Sequence, residues 1–358
     1  MKNKSVVLIE IAGSHDECIY SQCQIFSYLG YDIHIIASEN MNSRFNDYKM
    51  LRSLNFFDIP HKRIDYLPSL LKIRKLIRQI TPDLIIFNTC SNNLVLELLI
   101  LLGKRFNYAG IIHGVEKLSN SNSQKLISWY VKKYFVLNDY ILNHIPNNYP
   151  RNQLSSLYTI YSPYNFLKQN IDDTFRICIP GNFEYRRRDY LFLLKLSSNK
   201  LLDKRVKFVI LGNAKHKNSS SADFISQASE LGVMNRFVFF DEFTPPQKFA
   251  EITSSSDLLM PLIHPMVPDF KSYLKTKISG TFNLSFTYKI PMLILDDFAV
   301  NEDFGYSSFF YNFDNIIDLI NLLAKNPDLI KDKIQSIENL SKFSLENQVN
   351  KIRQFLSL

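Results

Sequence analysis

The sequence is poor in residue types that mark several classes of protein. Its four cysteines form no Cys-x-x-Cys pair and no metal-binding spacing with the seven histidines. We therefore expect buried thiols in a reducing compartment and no metal site. Its ten glycines form no Gly-x-Gly-x-x-Gly pattern after any predicted strand, which disfavours a dinucleotide-dependent oxidoreductase.

A long hydrophobic run is also missing. The longest apolar stretch, residues 94–102, is interrupted by Glu97 and falls well short of the roughly 20 residues that span a bilayer. The apolar stretch at residues 6–11 contains Glu10 and is followed by no small-residue cleavage pattern, so it predicts a buried strand and not a secretory signal. We therefore expect a cytoplasmic protein without a transmembrane helix.

The composition is that of a folded, basic protein. Hydrophobic residues make up 46% of the 358 positions, and the length suggests two domains of roughly 150 to 200 residues. The net charge of +8 favours anionic partners such as phosphates or a lipid surface. The basic side chains are dispersed and form no known nucleic-acid motif, so we expect no nucleic-acid partner.

Short apolar runs alternate with amphipathic segments along the whole chain, which predicts an α/β fold built from βαβ units. We place a linker at residues 162–173, between a domain at residues 1–164 and a domain at residues 174–340. An amphipathic helix at residues 341–358 closes the chain. Two parallel sheets facing each other would leave a cleft at the carboxyl ends of their strands, where open α/β sheets bind ligands.

Two further local patterns lead to predictions of secondary structure. Apolar residues at 157–161 predict the last strand of the first domain. Thr244 and Gln247 fit a capping box with proline at the first helical position, which predicts a short helix ending at Ile252.

Three consecutive arginines follow the predicted strand at residues 175–180. Arg186, Arg187 and Arg188 lie just before a predicted helix, where guanidinium groups and first-turn amides could bind phosphate oxygens. This pattern predicts a phosphate site. The alternative is a solvated basic turn with Asp189 as a local partner.

A second anion-binding segment is predicted at residues 273–281. Gly280 allows backbone amides to approach an anion, Ser279 or Thr281 can donate a hydroxyl, and Lys277 supplies a positive charge. A diphosphate would fit between this segment and the arginine loop. The alternative is an ordinary capped helix with exposed lysines.

In their order and spacing, these segments resemble glycosyltransferases of the GT-B fold, specifically the large retaining group that uses nucleotide sugars. The resemblance covers most of residues 175–300 and is weaker over the first half. It implies two Rossmann-like domains facing across a cleft, with the acceptor bound by the first and the nucleotide sugar by the second. The residues that carry it are Gly181 with Arg187, residues 209–213, residues 240–244 and residues 277–291.

The resemblance also implies roles for particular residues. Arg187 and Lys277 would hold the donor diphosphate, amides at residues 279–281 would cap a phosphate, and residues 240–243 would contact the nucleobase. Neither a metal nor a cofactor is implied, and no Asp-x-Asp motif is present. The predicted donor-binding set is Gly181, Arg186, Arg187, Arg188, Asn213, Phe243, Lys277, Ser279, Gly280 and Thr281.

The sequence departs from the family pattern at two points. Where the family has two glutamates with seven residues between them, this chain has Thr276 and Leu284. The family's second basic residue after the arginine is missing, and Lys195 is the nearest substitute.

Candidate catalytic residues lie after two predicted strands of the first half. His15 and Asp16 follow the first strand, and His113 follows a later one. A histidine or aspartate there could deprotonate an acceptor hydroxyl, whereas in a retaining enzyme His113 could orient the sugar. Glu17 and Glu116 are weaker candidates, and a hydrogen-bonded structural role is the alternative for each histidine.

Taken together, these patterns predict a glycosyltransferase that moves a sugar from a nucleotide-sugar donor to a glycan or lipid-linked acceptor in surface polysaccharide biosynthesis. The amphipathic helix at residues 67–80 has a basic face that could lie on an anionic membrane, at the inner face, or could simply be solvated. The alternatives are a nucleotide-sugar epimerase of the same fold and an inactive sugar-nucleotide-binding protein.

Overall fold

The computed structural model describes residues 3–60, 65–146, 149–166, 172–213 and 221–358. The chain divides into two compact units. The first unit comprises Met1–Pro163, Lys275–Ile278 and Lys342–Leu358, and the second comprises Tyr164–Leu274 and Ser279–Ser341. Residues 167–171 of the predicted linker lie outside the described residues.

The first unit contains a parallel sheet, which has seven strands within the described residues. Their order across the sheet is β3-β2-β1-β4-β5-β6-β7. The strands are β1 (Ser5–Glu10), β2 (Asp32–Ser38), β3 (Leu51–Phe57), β4 (Leu84–Phe87), β5 (Tyr108–Ile111), β6 (Lys133–Val136) and β7 (Leu154–Ser156). The helices between them are α1 (Ile19–Tyr28), α2 (Tyr66–Ile80), α3 (Asn93–Leu102), α4 (Lys117–Asn120), α5 (Asn122–Tyr130) and α6 (Asp139–Leu142).

The second unit repeats this plan with six parallel strands among the described residues, in the order β10-β9-β8-β11-β12-β13. The strands are β8 (Phe175–Pro180), β9 (Val206–Asn213), β10 (Phe237–Phe240), β11 (Leu258–Leu259), β12 (Met292–Leu295) and β13 (Ser308–Tyr311). The helices are α7 (Tyr190–Ser197), α8 (Ser221–Glu230), α9 (Pro246–Ser254), α10 (Phe270–Tyr273), α11 (Gly280–Tyr288), α12 (Glu302–Ser307), α13 (Ile316–Lys325) and α14 (Pro327–Glu338).

In each sheet, the order in which the chain adds strands reverses at one point, and a ligand is expected at that point. The reversal lies between β1 and β4 in the first unit and between β8 and β11 in the second. In doubly wound sheets, ligands bind beyond the carboxyl ends of the strands at this switch point. Each unit is therefore Rossmann-like and has its own candidate site.

The last helix, α15 (Leu345–Leu356), belongs to the first unit. Ser344 caps it by accepting a hydrogen bond from the Asn347 backbone N–H at 3.3 Å. Val349 and Ile352 are buried in the same core as the apolar face of α1. The chain therefore crosses to the second unit and returns to complete the core of the first.

The predicted strand at residues 157–161 is wrong, because β7 ends at Ser156. Residues 157–160 are buried and Tyr161 is partly buried, and side chains satisfy the backbone N–H groups of two of these residues. The Tyr158 N–H donates to the side-chain oxygen of Gln348 at 3.3 Å, and the Tyr161 N–H donates to Ser21 at 2.9 Å. The Leu157 N–H still donates to Val136 of β6 at 2.8 Å, but beyond it the apolar pattern reflects burial and not strand pairing.

The predicted short helix with proline at its first position is confirmed, but the predicted capping box is wrong. Helix α9 begins at Pro246 and ends at Ser254, with Pro245 at the capping position and no side-chain capping bond. Pro245 instead accepts the first helical hydrogen bond, from the Phe249 N–H at 2.8 Å. Two prolines in succession start the helix one residue after the position at which Thr244 could cap it.

Strand β3 went unpredicted, and it lies at an edge of the first sheet. Its residues are only partly buried, so its sequence lacks the continuous apolar run of a central parallel strand.

Among the described residues, no helix combines the length and the apolar character needed to cross a membrane.

Candidate functional site

A buried carboxylate anchors the switch point of the first unit. Glu10 is the last residue of β1 and is 1% exposed. One of its oxygens accepts from the Ala12 N–H at 2.8 Å, and the other accepts from Asn88 at 2.8 Å and Thr89 at 2.5 Å. Burial raises the pKa of Glu10, although these hydrogen bonds favour its ionised form. Glu10 thus joins the ends of β1 and β4.

Asn88, the first residue after β4, connects three segments. Its side-chain nitrogen also donates to the carbonyl of His15 at 2.8 Å, and its side-chain oxygen accepts from Gln22 of α1 at 2.7 Å. Its own carbonyl oxygen lies 2.8 Å from Nε2 of His113. Because Asn88 is fully buried and holds both histidine loops, it fixes the geometry of the site.

The two predicted histidines lie in direct contact. The rings of His15 and His113 stack with centroids 3.8 Å apart and an angle of 14° between their planes. The backbone of His15 is left-handed, with φ of 63°, and its Nδ1 lies 3.2 Å from a carboxylate oxygen of Glu17. The sequence predicted only that both residues follow strands and point toward a cleft at the strand ends, and the structure brings their rings into contact.

The stacked rings have different proton affinities. Burial and the positive charge of His15 lower the pKa of His113 to about 4. Burial also opposes protonation of His15, but the hydrogen bond and charge of Glu17 outweigh it and raise the pKa of His15. Since a carbonyl only accepts, His113 donates from Nε2 to Asn88 and keeps a lone pair on Nδ1. His15 is therefore the stronger base, and His113 suits hydrogen bonding in its neutral form.

Asp16, the third predicted catalytic residue, lies beside His15 but forms an ion pair with Arg44. Burial and the charge of Glu17 raise the pKa of Asp16, and Arg44 opposes this shift. Its carboxylate therefore already has a cationic partner.

Glu116 lies against the other histidine loop. A Cβ at Gly114 would come within 2.8 Å of a Glu116 carboxylate oxygen, so a larger residue there would require the Glu116 side chain to shift. The other carboxylate oxygen is buried and has no hydrogen-bond partner among the described residues.

Sequence reasoning missed Glu10, Asn88 and Thr89 as site residues. Two signals were present: an acidic residue inside the apolar first strand, and an Asn-Thr pair directly after β4. A charge is rarely placed in a buried strand without partners, and those partners come from the neighbouring strand.

In the second unit, the three consecutive arginines have different environments. Arg188 is 8% exposed and donates to the carbonyls of Pro180 and, at 3.2 Å, Asn182. Gly181 has φ of 102°, and a Cβ on it would come within 2.7 Å of the Arg188 guanidinium. Arg188 therefore holds the loop after β8 in place.

Arg186 and Arg187 point to the surface instead. Their side chains are 71% and 49% exposed, and the Nε of each lies 3.1 Å from the same oxygen of Glu184. The protein around Glu184 opposes its ionisation, but the two arginines outweigh this effect and lower its pKa. Two guanidinium groups thus lie at the loop that leads into α7.

Asp189 serves the helix and not the arginines. It caps α7 by accepting from the Phe192 N–H at 3.0 Å, and its other oxygen lies 3.0 Å from Nδ1 of His264. His264 is fully buried, and its Nε2 lies 2.6 Å from the hydroxyl of Tyr311. The start of α7 is thereby fixed to the segment that follows β11, across the switch point.

The second predicted anion-binding segment is divided between the units. Ser279 caps α11 by accepting from the Thr281 N–H at 3.4 Å, and a Cβ at Gly280 would meet no atom within 4 Å. Lys277 belongs to the first unit, where its carbonyl accepts from the hydroxyl of Tyr140 at 2.6 Å. That Lys277 acts together with Arg187 stays a prediction.

Two further predicted donor contacts lie beyond the strands of the second unit. Asn213 ends β9 opposite Phe240 of β10, and Phe243 is exposed in the loop before α9. Their contact with a nucleobase stays a prediction. The described residues include no group of three or more histidine, cysteine or acidic side chains that could hold a metal ion.

Comparisons with known proteins agree with this architecture. Residues 10–144 match the family described as glycosyl transferase 4-like. No curated protein matches the sequence.

Three solved structures resemble the whole chain. A glycosyltransferase from Rickettsia africae has a TM-score of 0.67 at 14% identity, over 99% of this chain and 98% of that one. Anabaena HepE in complex with UDP and glucose has a TM-score of 0.69 at 11% identity, over 99% and 100%. A putative UDP-N-acetylglucosamine 2-epimerase from Listeria monocytogenes has a TM-score of 0.64 at 11% identity, over 98% and 95%. At these identities the likeness establishes the fold. The chain therefore has the GT-B fold of two Rossmann-like domains, and its residues 10–144 match the glycosyl transferase 4-like family.

Proposed function

We propose that this protein is a glycosyltransferase that moves a sugar from a nucleotide-sugar donor to a glycan or lipid-linked acceptor in surface polysaccharide biosynthesis. The observation that carries the proposal is the pair of doubly wound sheets, in a chain whose whole length resembles GT-B proteins and whose first unit matches a glycosyltransferase family. Because HepE was solved with UDP and glucose, a UDP-sugar is the first donor to test.

The donor diphosphate would bind at the arginine loop of the second unit. Glycosyl transfer leaves negative charge on the departing diphosphate, and cations placed beside it lower the barrier. Arg186 and Arg187 are exposed and now share Glu184, so a phosphate would take over one or both guanidinium groups from that carboxylate. In the proposal, Lys277 and the amides of residues 279–281 complete the phosphate site, and Phe243 contacts the base.

The acceptor would bind at the histidine pair of the first unit. His15 has the raised pKa of a proton acceptor, with Glu17 to stabilise the protonated ring. His113 stays neutral near pH 7 and can accept a hydrogen bond from a sugar hydroxyl at Nδ1. In an enzyme that retains configuration, this second role would be the more important one.

A nucleotide-sugar epimerase is the second candidate, because the Listeria protein resembles this chain nearly as well as the glycosyltransferases do. An inactive sugar-nucleotide-binding protein is the third, given Thr276 and Leu284 at the positions of the family's glutamates.

The experiment that separates these functions follows UDP-glucose, UDP-galactose and UDP-N-acetylglucosamine by NMR, with and without a panel of glycan and lipid-linked acceptors. A transferase gives slow hydrolysis alone and a new glycosidic product with its acceptor. An epimerase gives an isomer without any acceptor, and this result would reject the transferase assignment. Binding without turnover across the panel would favour the inactive protein.

A further inference from the structure

We infer that the face formed by α2, α3 and α5 of the first unit docks onto an anionic lipid bilayer. This face is formed by helices and does not include Glu10 or the two histidines, and its proposed role does not depend on the identity of the donor.

The three helices form one layer on the sheet. Helix α3 packs against both α2 and α5. Leu70, Ile73 and Ile77 of α2 and Ile127 of α5 are buried. The opposite sides of these helices remain accessible to solvent and form what we call the three-helix face.

Large apolar side chains are concentrated on this face. Among the described residues of the first unit, six large hydrophobic side chains are exposed, and five of them lie on these helices. The sixth is Tyr28. The five are between 42% and 57% exposed, and they are Leu67, Leu71, Ile100, Leu126 and Trp129. Exposed apolar residues in such a group indicate a surface that contacts another phase or molecule.

Positive charge is concentrated on the same helices. Residues 66–80, 93–105 and 122–132 hold eight lysines and arginines and one acidic residue, Glu97, so these segments hold +7 of the chain's net +8. On α2, Leu67, Leu71, Lys75 and Arg78 follow one another at spacings of four, four and three residues and therefore share one stripe.

The apolar and cationic groups lie within reach of one another. The Lys104 ammonium group, just after α3, lies 3.6 Å from the ring centroid of Trp129 on α5. Leucine and tryptophan side chains surrounded by lysine and arginine are the pattern of helices that lie in the membrane interface, where aromatic rings sit at headgroup level. A nucleic acid would match the charge but not the exposed leucines, so an anionic bilayer is the occupant that fits both.

Trp129 makes the inference directly measurable, because it is the only tryptophan in the chain. The full-length protein is mixed with phosphatidylglycerol/phosphatidylcholine vesicles and with pure phosphatidylcholine vesicles, without nucleotide. We expect a blue shift of the tryptophan emission with the anionic vesicles and quenching when brominated lipid is included. No blue shift and no quenching with anionic vesicles would overturn the inference.

A charge-neutralised variant tests the location of the contact. Lys72→Gln, Lys75→Gln and Arg78→Gln together remove three cations from α2, each worth about fivefold in binding, so we expect partitioning to weaken by roughly 100-fold. The matched control carries Lys200→Gln, Lys271→Gln and Lys331→Gln, three exposed lysines of the second unit, and should partition like the wild type. An equal loss in both variants would show only a net-charge effect and would overturn the inference.

A third experiment replaces the vesicles with a DNA duplex, to test whether the face binds nucleic acid. A DNA duplex that shifts the Trp129 emission as strongly as the vesicles would assign the face to nucleic acid instead. Because all arms omit nucleotide sugars, failure here leaves the donor site untouched, and failure of UDP binding leaves this result untouched.

Discussion

The candidate sites of the two units are built in opposite ways. In the first unit, buried Glu10 and Asn88 satisfy one another and hold the stacked histidines through hydrogen bonds of 2.8 Å or less. In the second, Arg188 and Asp189 form a hydrogen-bonded scaffold, but Arg186 and Arg187 lie exposed and share one carboxylate. The first site is preorganised down to its functional groups, whereas the second is preorganised only in its scaffold and leaves its cations able to exchange partners.

The sharpest test of this contrast is the loss of a buried acid in the first site. Replacing Glu10→Ala takes the acceptor from the buried Asn88 amide and from the part-buried Thr89 hydroxyl and Ala12 N–H, so we expect the first unit to lose about 2–3 kcal/mol of unfolding free energy. Urea unfolding followed by the fluorescence of Trp129, which lies in the first unit, measures this loss.

Glu184→Gln is the matched control for that prediction, because the ion pairs of Glu184 are with two exposed arginines. It should change the unfolding free energy by less than about 0.5 kcal/mol. Equal losses in the two variants would remove the contrast between the sites.

Adding a methyl group at Gly212 tests the backbone scaffold of the second site. A Cβ at Gly212 would lie 2.3 Å from the carbonyl oxygen of Gly181, a backbone atom that cannot move without the loop. We expect Gly212→Ala to destabilise the second unit by about 2 kcal/mol and to weaken UDP binding as well. Circular dichroism during urea unfolding and calorimetric titration with UDP measure the two effects. If Gly212→Ala had the unfolding free energy and the UDP affinity of the wild type, the loop at Gly181 would not be rigid.

The pH dependence of stability tests the histidine pair. His113 has a folded-state pKa of about 4 against an ordinary value near 6.5, so the unfolded chain takes up this proton first as the pH falls. Stability is therefore lost between pH 6.5 and pH 4, by about 2 kcal/mol at pH 5 for this group. In the variant His113→Gln, urea unfolding at pH 7 and pH 5 should show a smaller loss. The same loss as in the wild type would contradict the low pKa of His113.

The smallest expected effect separates stability from binding in the second site. A Cβ at Gly280 would meet no atom within 4 Å, and Gly280 is the first residue of α11, so Gly280→Ala should stabilise the helix by about 0.5 kcal/mol, less than the value for a helix interior. If amides at the start of this helix bind a phosphate closely, the same variant binds UDP more weakly. A thermal melt and a UDP titration give the two values, and unchanged UDP affinity would remove Gly280 from the donor site.

The sequence predicted the alternation of strands and helices well because central parallel strands are buried on both faces and therefore read as continuous apolar runs. It failed at residues 157–161, where the N–H groups of Tyr158 and Tyr161 donate to side chains of α15 and α1 and not to a neighbouring strand. It also failed at β3, an edge strand with a mixed pattern.

The sites show the same limit. His15, Asp16 and His113 could be found because they follow strands, but the role of Asn88 could not, since one asparagine after a strand reads as an ordinary loop residue. The sequence alone cannot distinguish the roles of Arg186, Arg187 and Arg188, because they are three identical residues in a row. Only their packing against the carbonyls around Gly181 decides which one becomes part of the scaffold.

The proposed donor site rests on the binding of a nucleotide diphosphate by the exposed Arg187 beside the second switch point, with Lys277 as the proposed second cation. Calorimetric titration of UDP into the wild type, Arg187→Ala, Lys277→Ala and the control Lys331→Ala tests it most directly. We predict that each of the first two variants binds UDP about 10- to 100-fold more weakly, as expected for a lost charged hydrogen bond, while the control binds like the wild type. Unchanged affinity in both Arg187→Ala and Lys277→Ala would contradict the account.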